Sequence, residues 1–289
     1  MPDKRLHLVL PTGFCGGVRR ALDLFRQLAA SVEARPLYVL HELVHNSEVT
    51  EDMRQAGARF VNSLDDIPHG AHVFFGAHGV SRSAITTAQE RGLEIHDATC
   101  PLVARIQAFA ASEAPSLPLI FLGDGEHPEV QGILGHAGNR QIFLISGLDE
   151  IPSLPPLTEA IFLCQTTKDT HLVAEVLQAL RRSVLHLHDA SHICESVLAR
   201  QEAVRRLAEC CDLLLIIGSR HSANAKTLLQ AASGGKAKAQ IIEAAVELSP
   251  AHLDNVHDLG LASATSTPDS LVSSIINWLG HNGFKPATS

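Results

Sequence analysis

The segments that lead into three of the six cysteines read alike, and a chain that repeats itself must fold as a repeated architecture. LHLVLPTGFC ends at Cys15, LEIHDATC at Cys100 and VLHLHDASHIC at Cys194, the last two sharing His-Asp-Ala. The cysteines lie 85 and 94 residues apart, and the segments after each of them recur in the same order. First comes a stretch with apolar residues every three or four positions, such as Val18, Leu22, Phe25 and Leu28 after Cys15. That spacing predicts an amphipathic helix. Each helix then leads into a short apolar run, PLYVL, LPLIFLG or DLLLIIG, of the kind that forms a buried strand.

Polar clusters close these strands: HELVHN, EHPE and SRHSAN, in which His45, His127 and Ser222 fall 27 to 30 residues after their cysteines. A second helix and strand come next. A further strand then ends on another polar turn: FFGAHGVS with His78, IFLCQTT with Thr166, and LASATSTP with Ser266, lying 63, 66 and 72 residues past the cysteines. Strands alternating with helices predict parallel sheets, whose ligand sites form beyond the carboxyl ends of the strands. The expected fold is α/β: three similar αβα units with mainly parallel sheets, arranged as a pseudo-threefold trefoil around a central site. The expected units are residues 14–99, 100–192 and 193–289. The third lacks its last strand, and residues 1–13 are expected to supply it.

Composition narrows the function. With 289 residues and 45% hydrophobic content the chain can bury a sizeable core. It has no apolar run near the roughly 18 residues a membrane-spanning helix needs, and its N-terminal apolar stretch is too short for a secretory signal. A cytoplasmic protein without a membrane partner is expected. A net charge of −8 argues against nucleic acid while allowing a small anionic ligand in a local pocket.

In a reducing compartment six cysteines do not read as a disulfide framework, so each needs a burial reason or a chemical one. Cys164, Cys210 and Cys211 adjoin apolar runs and read as buried. Cys15, Cys100 and Cys194 sit instead among Gly, Pro, Ser, Thr and Asp, just before helices. Zinc sites usually show close Cys-x-x-Cys pairs, and none occurs. Three thiolates match a four-iron, four-sulfur cluster that keeps one iron free of protein ligands, which is the mark of a catalytic centre. Around it, His45, His78, His127, Ser222, Asn224 and Ser266 form a donor set suited to a diphosphate. His41, His136 and His221 have no counterparts in the repeat and read as surface or supporting residues. Glu129, in HPEV, is the carboxylate beside a proposed binding turn and the expected proton donor, with Thr166 as relay. The plainer alternative for Glu129 is a helix N-terminal carboxylate stabilised by the helix dipole.

GFCGGVRRA, HELVHN, AHGVS, DATCPLV, HPEVQG, QTT, RQEAVR, GSRHSAN and STPD, in that order over nearly the whole chain, resemble the blocks of the LytB/IspH family, the 4-hydroxy-3-methylbut-2-enyl diphosphate reductases. The resemblance implies Cys15, Cys100 and Cys194 as cluster ligands. It further implies His45, His78, His127, Ser222, Asn224 and Ser266 as diphosphate contacts, with Glu129 and Thr166 delivering the proton. The implied reaction is a two-electron, two-proton removal of an allylic hydroxyl, with ferredoxin or flavodoxin as electron donor, since no G-x-G-x-x-G fingerprint comes after a strand. The chain departs from the family pattern at Thr12, Val197, Ala223 and the turn Ser263-Ala264-Thr265-Ser266. Two other readings stay open. One is a paralogue acting on a related unsaturated substrate; the other is a non-catalytic iron-sulfur sensor, which would have no use for Glu129 and Thr166.

Overall fold

The computed structural model describes residues 4–31, 36–44, 46–112 and 117–287. The chain begins with β1 (Lys4–Leu8), α1 (Gly16–Ala30), β2 (Leu37–Leu40), α2 (Ser47–Gln55), β3 (Ala58–Val61), β4 (His72–Phe75), α3 (Arg82–Glu90) and β5 (Glu94–Asp97). It continues through α4 (Pro101–Ser112), β6 (Leu119–Leu122), α5 (Pro128–Leu134), β7 (Ile142–Ile145), β8 (Leu157–Cys164), α6 (Thr170–Ser183) and β9 (Val184–Asp189). The last stretch holds α7 (Glu195–Cys210), β10 (Leu213–Ile217), α8 (Ala223–Ala232), β11 (Lys238–Ile242), β12 (Asp258–Ser263), α9 (Asp269–His281) and β13 (Phe284–Pro286).

The strands form three sheets, ordered β3-β2-β4-β5, β7-β6-β8-β9 and β11-β10-β12-β1-β13, and the strand pairs are parallel. The expected parallel α/β architecture is therefore present. The first two orders are the same topology, and in the third β1 takes the place of β5 and β9. β13 is a fifth strand that periodicity does not reveal. It is three residues long and ends in Pro286, a residue that edge strands tolerate because it has no N–H to donate.

By packing, the chain divides into two compact units. One comprises Met1–Cys15, His45–Glu48 and Cys194–Ser289 and carries the five-stranded sheet. The other comprises Gly16–Val44 and Val49–Ile193 and carries both four-stranded sheets.

The innermost strands are uninterrupted apolar runs because both of their faces are covered. In β6, LIFL is buried throughout. Leu119 and Phe121 face Val103, Ile106, Val130 and Ile133 of α4 and α5, while Ile120 and Leu122 face Val173, Val176 and Leu180 of α6. β2 and β10 are likewise buried along their length. No described helix is long and apolar enough to cross a membrane.

Cys164, at the end of β8, and Cys211, just before β10, are buried, and burial pushes each thiol up to about 12. Cys210 differs from the sequence expectation: it is exposed. It is the last residue of α7, and its thiol donates to the carbonyls of Arg206 and Leu207 on the same helix rather than turning into the core.

Phe121 is fully buried between α4 and α5, so Phe121→Ala removes a ring and leaves a cavity. Chemical denaturation should show a loss of about 3–5 kcal/mol.

Candidate active site

In the unit carrying the two four-stranded sheets, the polar groups gather after the carboxyl ends of β4, β6 and β8. Glu129 enters the second position of α5 behind Pro128 and is only 3% exposed. Its two carboxyl oxygens are both held by Thr166: Oε1 accepts from the Thr166 backbone N–H at 2.7 Å and Oε2 from the Thr166 hydroxyl at 2.8 Å. Burial lifts this carboxyl above its ordinary range, against the opposing pull of the two Thr166 hydrogen bonds. A carboxyl that holds its proton more tightly than usual and is bonded to one hydroxyl is the arrangement a proton donor needs.

His127 is the N-cap of α5, where its Nδ1 accepts from the Glu129 N–H at 3.1 Å. That bond places the proton of the neutral ring on Nε2, which then acts as a donor. The His78 ring meets His127 edge-on, with centroids 5.1 Å apart. Gly79 beside it has φ +70°, and a side chain there would collide with Gln107 and Thr99, so the turn presenting His78 needs glycine. Gln165 steadies the other turn: its Oε1 accepts from the Asp124 N–H and its Nε2 donates to Thr167.

Cys100 directly precedes α4, and its N–H donates to the carbonyl of Ala77 at 3.0 Å. This bond ties the cysteine to the residue before His78. The shared His-Asp-Ala acquires a physical role here. Asp97 accepts from the backbone and hydroxyl of Thr99, and Asp189 does the same for Ser191, so each aspartate sets the turn out of its strand. Arg20 donates to the carbonyl of Thr99 at 3.2 Å.

In the other unit, Cys15 precedes α1 and Cys194 is the N-cap of α7. The Cys15 N–H donates to the carbonyl of Thr265, the residue before Ser266, at 3.0 Å. The bond that fixes Cys100 beside its polar turn is thus repeated. Gly13 stands two residues earlier with φ +69°. Its N–H donates to the Ser263 hydroxyl at 2.8 Å, and a Cβ on it would lie 1.8 Å from Asp269 Oδ1.

Arg200, inside α7, is fully buried. It donates to the Gly13 carbonyl at 2.8 Å and to the carbonyl and hydroxyl of Ser196. Burial depresses its basicity, and the neighbouring Cys15 and Cys194 oppose that effect. A cation kept out of water is costly unless negative charge is placed beside it.

Ser222 is the N-cap of α8, and its oxygen accepts from the Ala225 N–H. Asn224 is 3% exposed and donates to the Thr265 hydroxyl at 3.2 Å. Its amide oxygen is buried with no hydrogen-bond partner among the described residues. Because the Thr265 hydroxyl donates as well as accepts, a rotated amide keeps that bond and turns its NH2 toward the position of the oxygen. Ser266 is buried next to this pair.

His45 lies outside the described residues. Val197 is buried in the first turn of α7, its N–H on the Cys194 carbonyl, and Ala223 opens α8. Sequence reasoning passes over Arg200, Ser263 and Thr265 as site residues. The RQEAVR block contains the first, and the departing turn before STPD contains the other two, yet only the fold reveals what they hold.

Such a chain is a parallel-sheet α/β protein that sets cysteines at helix amino ends and a buried acid, imidazoles and hydroxyls on neighbouring strand-end turns. It belongs to the LytB protein family, whose model matches residues 6–280. It is 37% identical over 286 residues to the 4-hydroxy-3-methylbut-2-enyl diphosphate reductase of Actinobacillus succinogenes, spanning 96% of this chain and 91% of that one. It is also 37% identical over 276 residues to the enzyme of that name from Haemophilus ducreyi, spanning 93% and 88%. The solved E-1-hydroxy-2-methyl-but-2-enyl-4-diphosphate reductase of Plasmodium falciparum aligns with a TM-score of 0.93 and 29% identity over 99% of this chain and 92% of that one. A second structure, of (E)-4-hydroxy-3-methyl-but-2-enyl diphosphate reductase, the terminal enzyme of the non-mevalonate pathway, aligns with a TM-score of 0.69 and 25% identity over 96% and 99%.

The raised carboxyl of Glu129 fixes the sign of a pH effect. Its folded form binds a proton more tightly than the unfolded form, so its contribution favours folding at low pH. That contribution is lost as pH rises from the ordinary value of 4.5 through the folded value. Glu129→Gln keeps both Thr166 bonds and removes the titration. In denaturation curves taken between about pH 4 and pH 8 the variant should lose less stability with rising pH than the wild type.

Proposed function

We propose that the chain reduces (E)-4-hydroxy-3-methylbut-2-enyl diphosphate to isopentenyl and dimethylallyl diphosphate, the last step of the non-mevalonate isoprenoid pathway. Two electrons and two protons are taken up, the allylic carbon–oxygen bond breaks, and water leaves. The observation that carries the reading is the buried Glu129 clasped by Thr166: a carboxyl whose hold on its proton burial strengthens is paired with a hydroxyl, an arrangement suited to protonating a departing hydroxyl, which neither a sensor nor a scaffold needs.

In this reading Cys15, Cys100 and Cys194 hold a four-iron, four-sulfur cluster, built into repeat segments 14–99, 100–192 and 193–289 with 1–13. The residues fit such a group. Each cysteine opens a helix, whose amino end favours negative charge. Arg200 is a buried cation neighboured by Cys15 and Cys194, a placement that suits an anionic thiolate-held group. When bound, the cluster supplies one-electron reducing equivalents and an iron without a protein ligand.

The chain's residues supply the rest. His78 and His127, together with Ser222, Asn224, Ser266 and His45, bind the diphosphate, His127 donating from Nε2. Glu129 gives its proton through Thr166, whose hydroxyl passes one on and takes one back. Ferredoxin or flavodoxin delivers the electrons, and the reaction takes place in the cytoplasm.

Anaerobic turnover of the reconstituted protein with this substrate and a one-electron reductant should give five-carbon diphosphates. Glu129→Gln with unchanged iron content should be slower by roughly 10²–10⁴-fold. Unchanged turnover in the variant would remove Glu129 as the acid. A bound cluster without turnover would favour a related unsaturated substrate, to which the apolar Val197 beside Cys194 would be suited. Gly13→Ala, which forces a side chain onto Asp269, should displace the Cys15 loop and lower the iron retained per chain after reconstitution.

A further inference from the structure

In each sheet, a pair of adjacent strands places three polar side chains in the same register. In the β8/β9 pair, Glu159 stands opposite His186 and one step diagonal to His188. In the β12/β1 pair, Asp258 stands opposite Arg5 and diagonal to His7. Both diagonals are closed imidazole–carboxylate pairs, His188 Nε2 to Glu159 at 2.6 Å and His7 Nε2 to Asp258 at 2.8 Å. In the β4/β5 pair the corresponding positions hold His72, opposite Glu94 and diagonal to His96. The carboxylate of the inner strand has been replaced by a second imidazole, and the carboxylate has moved to the edge strand.

This exchange changes the chemistry. His72 Nδ1 lies 3.0 Å from His96 Nε2 and 3.3 Å from Glu94 Oε2, with the two rings stacked at 11° and 5.3 Å between centroids. Among the described residues it is the one place where ligand atoms of three His, Cys, Asp or Glu side chains fall within 4.8 Å of one another. Two facing imidazole nitrogens can share one proton but repel if both are protonated, and burial together with His72 lowers the basicity of His96. An ion that displaces the proton shared by the two rings takes both ring nitrogens and the Glu94 oxygen as ligands. A tetrahedral ion bound at roughly 2.0–2.2 Å keeps its nitrogen and oxygen ligands about 3.3–3.5 Å apart, so the two separations from His72 need only a few tenths of an ångström of adjustment, and the third, from His96 to Glu94, lies within 4.8 Å. The side chains of His72 and Glu94 are 19% and 64% exposed, which gives water access to a fourth position.

We propose that His72, Glu94 and His96 bind a divalent transition-metal ion of the zinc class, a site separate from the one assigned to the cysteines. Two imidazoles and one carboxylate are a borderline donor set that selects zinc-like ions over calcium or magnesium. The ion clips the edge strand β5 to β4. Since β5 ends at Asp97 and runs directly into Ala98, Thr99 and Cys100, the clip steadies the base of the segment that carries Cys100.

The test is equilibrium dialysis of the anaerobic holoenzyme against micromolar zinc, with iron content and cluster absorbance followed so that only uptake at constant iron is counted. The wild type should take up one zinc per chain and melt at a higher temperature with zinc than without. His96→Asn should take up none at this site, and Glu94→Gln, at an exposed position that leaves the fold intact, should bind at least roughly tenfold more weakly. No zinc uptake by the wild type at constant iron, or equal uptake by wild type and both variants, would overturn the proposal and leave an ordinary hydrogen-bonded histidine pair.

Discussion

Parallel pairing governs the rest of this molecule. A parallel strand must return to its starting edge through a crossover, so every strand leaves its sheet at the same end and every helix begins there. Cys15, Cys100 and Cys194 each occupy the junction where a loop turns into a helix. The backbone bonds from Cys100 to Ala77 and from Cys15 to Thr265 then bring the cysteine beside the polar turn of the neighbouring strand. Backbone geometry thus fixes which side chains meet, and the side-chain types decide what they do there.

Electrostatics at these junctions runs in two directions. Arg200 brings a buried positive charge near two thiols, and its hydrogen bonds go to neutral groups, the Gly13 carbonyl and Ser196. Glu129 is the opposite case, a carboxyl that burial drives toward its neutral form and that finds its bonds on a single threonine. One group calls for an anion; the other keeps a proton in reserve. Both are expensive to bury without a use, and this separates them from ordinary core residues.

The strand and helix order is legible in the sequence because fully buried parallel strands are unbroken apolar runs and the repeat supplies three copies of each signal. β13 escapes notice because three residues ending in proline carry no periodicity. The exposure of Cys210 depends on the rotation of one residue at a helix end, which an adjacent apolar run does not determine. Arg200 lies on an amphipathic helix where a charge reads as solvent-facing; its partner Gly13 is 187 residues away in the chain. The bond between Gly13 and Ser263 spans 250 residues, so the turn that looks like a departure from pattern is in fact the support of the Cys15 loop. The pairing of Glu129 with Thr166 is suggested by the repeat, which puts both at strand ends, and by the family resemblance, while its two-point geometry belongs to the fold.

The place of β1 has a consequence for how the protein is made. β1, the earliest of the described strands in the chain, lies between β12 and β13, the latest. Until residues 258–286 are synthesised it has no neighbour, and the loop through Gly13 and Cys15 lacks the Ser263 hydroxyl and Thr265 carbonyl that hold it. Nascent-chain contacts so distant in sequence form late. The Cys15 loop therefore takes its shape only once the chain has been made as far as β12 and the turn that follows it.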